Sequence, residues 1–237
     1  MERIDKIIAS QGKYSRSEVK KMLSQGRIKV NEKIVKKAEE KIDIENSIIS
    51  IDNINLNFKK NLYLVLNKPK GYISATEDRN QKTVLELVPD EYKRKGLFPA
   101  GRLDKDTTGM MIITNDGGFA HDILSPKKHI AKTYKVTIDI EITEKMKKDF
   151  AKGIVLKDHV CCPAIIRVEN ENTALITITE GKYHQIKKMF LSLKNEVVSL
   201  KRISFDEIYL DEDLLEGMSR PLNKEERNKL IKKAAQC

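Results

Sequence analysis

Asp104 stands in Gly101-Arg-Leu-Asp-Lys-Asp-Thr-Thr-Gly109, a loop-like stretch closed at both ends by glycine. A carboxylate can act as a nucleophile or a proton acceptor without metal or organic cofactor. Taking it out of water is expensive unless a partner or a reaction uses it. Basic residues that could partner it lie far downstream, in Glu180-Gly-Lys-Tyr-His-Gln-Ile-Lys-Lys-Met189. Spacing alone also admits plainer roles. Arg-Leu-Asp suits a turn aspartate bonded to its own backbone. Asp106 and Thr107 suit loop-shaping bonds from side chain to backbone. Lys187 suits the exposed face of a helix. Tyr134, in Lys132-Thr-Tyr-Lys135, suits a strand core or a cross-strand pair. Lys68-Pro-Lys-Gly71 suits a rigid turn after an apolar strand. Cys161, Cys162 and Cys237 are odd in number and two are adjacent, which is poor geometry for a shared metal. We expect no metal site and no cofactor.

The elements that must carry these residues are legible in part. Ile4, Ile7 and Ile8 make one helical stripe, broken at Gly12. Ser15 with Glu18 is a capping-box pattern, and Val19, Met22 and Leu23 continue the stripe until Gly26 stops it. Short strands follow at Ile28–Val30, Lys33–Val35 and Ser47–Ile51. Asn57–Asn61 reads as a linker. Beyond it, strands are expected at Tyr63–Asn67, Met110–Thr114, Thr133–Ile140, Ala164–Val168, Thr173–Thr179 and Val197–Ser204. Thr143 can cap a helix running to Gly153, and Ile186, Met189, Phe190 and Leu193 mark a second helix starting near Tyr183. Consecutive strands without a βαβ rhythm predict an α+β fold with a largely antiparallel, mixed sheet.

At 237 residues the chain can hold one or two domains, and 45 Lys and Arg against 35 Asp and Glu give it a net charge of +10. Positive excess favours polyanions such as nucleic acid. Residues 1–60 hold 14 Lys and Arg against 9 Asp and Glu, so the front of the chain is the more basic part per residue. Arg3, Lys6, Arg16, Lys20, Lys21, Arg27 and Lys29 fall off its apolar stripes and can face phosphates. No apolar run approaches a membrane span, and Met1-Glu-Arg-Ile-Asp5 is acidic where a signal peptide is apolar. The cysteine usage fits a reducing compartment, so a cytoplasmic location with no membrane partner is expected.

Arg3-Ile-Asp-Lys-Ile-Ile8, Ser15-Arg-Ser17 and Gly26-Arg-Ile-Lys-Val-Asn31 together resemble the S4 (αL-like) RNA-binding domain, with Glu32 where that family commonly has glycine. The Asp104 stretch, the run from Ser125 through His129 to Lys132-Thr-Tyr134, and the Glu180–Met189 segment resemble the RsuA branch of the pseudouridine synthases. The resemblance implies an S4-like domain at 1–58 and a catalytic domain at 59–237. It makes Asp104 the catalytic carboxylate and Lys187 the cation that keeps it ionised. It gives Tyr134 stacking on the target base and a late proton transfer, roles that a ring with a polar tip can combine. Arg102 fills the space left by the flipped base, Ile186 walls the pocket, and Lys68 supports the catalytic loop. Lys194 and Asp206 stand where relatives often carry glycine.

Isomerising uridine requires the base to leave the helical stack, a cost of a few kcal/mol that a pocket must offset. The implied reaction is uridine to pseudouridine in ribosomal RNA, without metal or cofactor. Tyr183-His-Gln-Ile-Lys187 is closer to the small-subunit enzyme, which favours 16S ribosomal RNA, or a small-subunit assembly intermediate, as the partner of a monomer. The alternatives are a large-subunit (23S) synthase and an RNA-binding ribosome assembly factor without turnover. Binding alone does not require Asp104, Tyr134 and Lys187 together.

Overall fold

The computed structural model describes residues 1–44, 46–56, 58 and 60–236. Asn57 and Lys59 of the expected linker, and Cys237, lie outside the described residues. The chain divides into two compact units: Met1–Leu62 with Val88–Leu97, and Tyr63–Leu87 with the chain from Phe98 onward. The sequence reading placed the segment Val88–Leu97 in the second domain, whereas it clusters with the first unit.

In the first unit, β1 (Glu2–Arg3) leads into α1 (Ile4–Ser10), and α2 (Arg16–Ser24) packs beside it. Then come β2 (Ile28–Val30), β3 (Lys33–Ile34), β4 (Lys41–Ile42), β5 (Ile49–Ile51) and β6 (Ile54–Asn55). β1 pairs with β4, and the other four strands form an antiparallel sheet in the order β3-β2-β5-β6. The stripes Ile4, Ile7, Ile8 and Val19, Met22, Leu23 are buried against Ile28, Ile49 and Ile51. The capping box is complete: Glu18 N donates to Ser15 Oγ at 3.3 Å and Ser15 N to Glu18 Oε2 at 2.7 Å. Asn31 and Glu32 join β2 to β3 with φ of 46° and 69°. Both values lie in the left-handed region of a tight hairpin turn. Glu32 therefore keeps the turn that glycine would make more cheaply. Gly12 is needed where it stands, because a Cβ there would lie 1.9 Å from the carbonyl oxygen of Lys93.

The second unit contains β7 (Tyr63–Lys68), β8 (Phe98–Ala100), β9 (Thr108–Thr114), α3 (Gly117–Leu124), β10 (Lys132–Ile138), α4 (Glu144–Lys152), β11 (Ile165–Asn170) and β12 (Thr173–Ile178). It continues with α5 (Gln185–Ser192), β13 (Val197–Phe205), β14 (Ile208–Tyr209), β15 (Ser219–Pro221) and α6 (Lys224–Gln236). Its sheet runs β11-β12-β10-β13-β9-β7-β15, with β14 on β13 and β8 on β9. All pairings are antiparallel except β13 with β9. The sheet is thus mixed and mainly antiparallel, and the fold is α+β as expected. The parallel step is short, Lys201 with Thr108 and Arg202 with Gly109. Gly109 permits it: a Cβ there would lie 2.2 Å from Arg202 O.

β7 and β9 are buried along nearly their whole length, which explains their unbroken apolar runs. Thr143 caps α4, its Oγ1 accepting from Met146 N, and Gly153 ends that helix. Lys194 and Asp206 have φ of 61° and 51°, so both keep the left-handed turns that glycine favours. No helix among the described residues is long and apolar enough to cross a membrane.

Candidate active site

The Asp104 loop is built from the backbone outward. Thr107 N donates to Asp104 O at 3.1 Å, closing a turn. Ser74 clamps Leu103 twice, donating Oγ to Leu103 O at 2.7 Å and accepting from Leu103 N at 2.9 Å. The buried Lys68 ammonium donates to the carbonyls of Pro69, Lys105 and Thr107 at 3.1, 3.2 and 2.7 Å, and Gly71 N donates to Lys105 O at 2.8 Å. An ammonium has three N–H groups, and here carbonyl oxygens engage all of them. Burial, opposed by the charges of Asp106 and Asp104, brings Lys68 down to about 8. The Lys68-Pro-Lys-Gly71 turn and the Asp104 loop are therefore one hydrogen-bonded assembly.

α5 approaches this loop from the other side. Its N-cap, His184, adopts a left-handed φ of 53°, and its Nε2 lies 3.3 Å from Asp104 Oδ1. Lys187 Nζ lies 3.3 Å from Asp104 Oδ2, with both side chains about one quarter exposed. The same Nζ is closer to Asp106, 2.7 Å from each carboxylate oxygen. Burial would lower Lys187, but the hydrogen bond to Asp106 and the charges of Asp104 and Asp106 outweigh it and raise it. The Lys187 hydrogen bond in turn holds Asp106 below the usual carboxylate range. One ammonium is thus shared by two carboxylates, and Asp104 meets a different nitrogen at each oxygen.

Arg102, Asp104, Tyr134, Ile186 and Lys187 line a single small cleft of about 70 Å³. A wider groove of about 650 Å³ opens beside it, also lined by Arg102, Asp104, Tyr134 and His184. Tyr134 is buried, and Arg202 on the neighbouring strand points Nη1 at its hydroxyl, 3.5 Å away. Arg202 Nε donates to Met110 O at 2.6 Å, which ties β13 to β9 beneath the cleft. Lys132 is buried over Phe205, its Nζ donating to Ile130 O at 3.0 Å, and burial together with Arg202 lowers it to about 8. Gly181, Lys182 and Gln185 also line the smaller cleft.

Residues 62–192 match the RNA pseudouridylate synthase family, and residues 2–49 match the S4 domain. The chain belongs to the RNA pseudouridylate synthase family. Among its relatives, an uncharacterized RNA pseudouridine synthase of Bacillus subtilis, YtzG, is 41% identical over 94% of this chain and 96% of its own length. The ribosomal small subunit pseudouridine synthase A of Haemophilus influenzae is 38% identical over 97% and 100%, and that of Escherichia coli K12 is 38% identical over 94% and 97%. A solved structure described as a pseudouridylate synthase superposes with a TM-score of 0.68 at 36% identity, covering 97% of this chain and all of that one.

In this pseudouridine synthase the seven basic positions of the S4 region divide into two groups. Arg3 bonds Asp5 at 3.0 Å through two nitrogens, Lys6 pairs with Glu2 at 2.6 Å, Arg27 bonds Asp52 at 2.8 and 2.5 Å, and Lys29 donates to Asn53 at 2.8 Å. Arg16, Lys20 and Lys21 on α2 are exposed, and their side chains make no hydrogen bond or ion pair among the described residues. Two readings of the loop need correction. Asp106 does more than shape the turn, since it grips Lys187, and Thr107 Oγ1 is buried without a hydrogen-bond partner. His184, Arg202 and Lys132 were not singled out from the sequence. Nothing local marks His184 as a neighbour of Asp104, whereas the spacing of Lys132 two residues before Tyr134 on one strand could have placed both on the same face.

Proposed function

We propose that this pseudouridine synthase isomerises a uridine of small-subunit (16S) ribosomal RNA, with Asp104 as the catalytic carboxylate. The observation that carries the reading is the position of Asp104, between Lys187 and His184 in a cleft that also holds Tyr134, Arg102 and Ile186. The small-subunit target is supported by 38% identity, over nearly full length, to enzymes named for that subunit.

In the reaction the bond from ribose C1′ to uracil N1 breaks, the base turns, and C1′ joins C5. N1 gains a proton and C5 loses one, so no redox step is involved. The uridine enters flipped out of its stack, and Arg102 at the cleft mouth occupies the space it leaves. Asp104 acts as nucleophile on the sugar or as proton acceptor, and either role needs it ionised beside the Lys187 ammonium. Tyr134 stacks on the uracil, and its hydroxyl, next to Arg202, takes the late proton from C5. Residues 1–58 act as the RNA-binding domain, and residues 59–237 as the catalytic domain. Arg16, Lys20 and Lys21 supply the free cations for phosphates. The enzyme works as a cytoplasmic monomer without cofactor.

The test is to map pseudouridines in ribosomal RNA from cells with the wild-type gene, no gene, or Asp104→Asn. We expect one 16S pseudouridine to vanish in both altered strains, while purified Asp104→Asn still binds the RNA. An unchanged 16S map in cells lacking the gene overturns the target. A pseudouridine that persists with Asp104→Asn overturns the role of the carboxylate.

A further inference from the structure

Tyr183 is a large aromatic side chain left 68% exposed at the edge of the candidate site. It does not line the small cleft of Asp104, Tyr134 and Ile186, but it does line the wider groove beside it. Its ring stacks on His184, with centroids 3.9 Å apart and planes 18° from parallel. His184 is itself anchored, since its Nε2 lies 3.3 Å from Asp104 Oδ1. The two rings therefore form a short stack that begins at the carboxylate and ends in solvent. Lys188 Nζ lies 5.2 Å from the Tyr183 centroid, and the exposed Arg102 and Lys105 share the groove.

So exposed a ring gains little from burial, and a core role does not explain it. An aromatic face beside cations is what an unpaired nucleobase and its phosphate recognise. The groove's volume of about 650 Å³ falls within the ~300–1,000 Å³ that encloses one small ligand, so it has room for one nucleotide beside the small cleft. The target uracil has to reach Asp104 in the small cleft, which leaves Tyr183 for its neighbour. We propose that Tyr183, stacked on His184, is a platform for the unpaired nucleobase adjacent to the target uridine in single-stranded RNA. The platform presupposes the RNA substrate proposed above.

The test uses the full-length protein and a short single-stranded RNA with one uridine and 2-aminopurine as its 5′ or 3′ neighbour. Stacking should quench 2-aminopurine fluorescence with wild type and with Tyr183→Phe, and Tyr183→Ala should lose the quench. Tyr183→Ala should weaken binding about tenfold or more, the size of one lost base stack. An abasic neighbour should weaken wild type by the same factor and Tyr183→Ala no further. On a small-subunit ribosomal RNA transcript labelled with tritium at uridine C5, Tyr183→Ala should raise KM with kcat nearly unchanged. Quenching that survives in Tyr183→Ala, or losses that multiply with the abasic RNA, overturns the platform. If wild type releases no tritium, the proposed reaction fails, and the quenching and binding arms still decide the platform on their own.

Discussion

Lys187 cannot serve Asp104 without also serving Asp106, because its Nζ lies 2.7 Å from both Asp106 oxygens and 3.3 Å from Asp104. Removing the cation takes the shared ammonium from both carboxylates and leaves Asp104 with His184 alone. We predict that Lys187→Met lowers kcat on the order of a hundredfold, the usual size of losing one charge-stabilising donor. RNA affinity should change little. The stability loss should be about 1 kcal/mol at neutral pH, because solvent reaches all three side chains and screens them. The lowered Asp106 sets the pH window. Its contribution is present above the ordinary carboxylate value of about 4 and fades as pH falls through its depressed value. The raised Lys187 keeps its contribution at neutral pH and loses it only in strong alkali. Urea titrations of wild type and Lys187→Met should therefore differ most at pH 7, and by less as pH falls below about 4. A gap that persists undiminished at pH 3 excludes the shared ion pair as its source.

Two turns place left-handed backbone on residues poorly suited to it: Glu32 between β2 and β3, and Lys194 after α5. A side chain with a Cβ pays roughly 1–2 kcal/mol there, and glycine returns part of that as unfolded-chain entropy. Glu32→Gly should therefore raise unfolding stability by about 0.5–1 kcal/mol, read by chemical denaturation. A loss of stability shows that the Glu32 side chain contributes more than its turn costs. These turns also show what was legible in the sequence. Ser15 with Glu18 and Thr143 with Gly153 mark helix ends through local chemistry, and both helices lie where those residues put them. α3 was missed because it opens on Gly117 and Gly118, poor helix formers. α6 was missed because its buried positions shrink to Leu230 and Ala234 in a lysine-rich stretch. The cleft was legible only through family likeness. Asp104 and Lys187 meet because β9 and β13 pair in parallel for two positions, a long-range step that no local pattern encodes.

At the scale of the molecule, the free cations of α2 should appear in the salt dependence of RNA binding. Neutralising Arg16, Lys20 and Lys21 together should flatten the slope of log affinity against log salt by about 2, from ~0.7 per phosphate lost. Filter binding across a salt series measures it, and an unchanged slope means that phosphates contact other residues. Substitution is a cleaner probe than truncation at residue 58, because the segment Val88–Leu97 clusters with the first unit and would be left without it. That segment also bears on synthesis. The chain starts the first unit, departs at Tyr63 to lay down β7, returns for Val88–Leu97, and departs again at Phe98. As the nascent polypeptide emerges, its amino-terminal unit cannot finish until residue 97 has cleared the exit tunnel. By then the first strand of the larger unit is already outside, so maturation of the two units is interleaved in time.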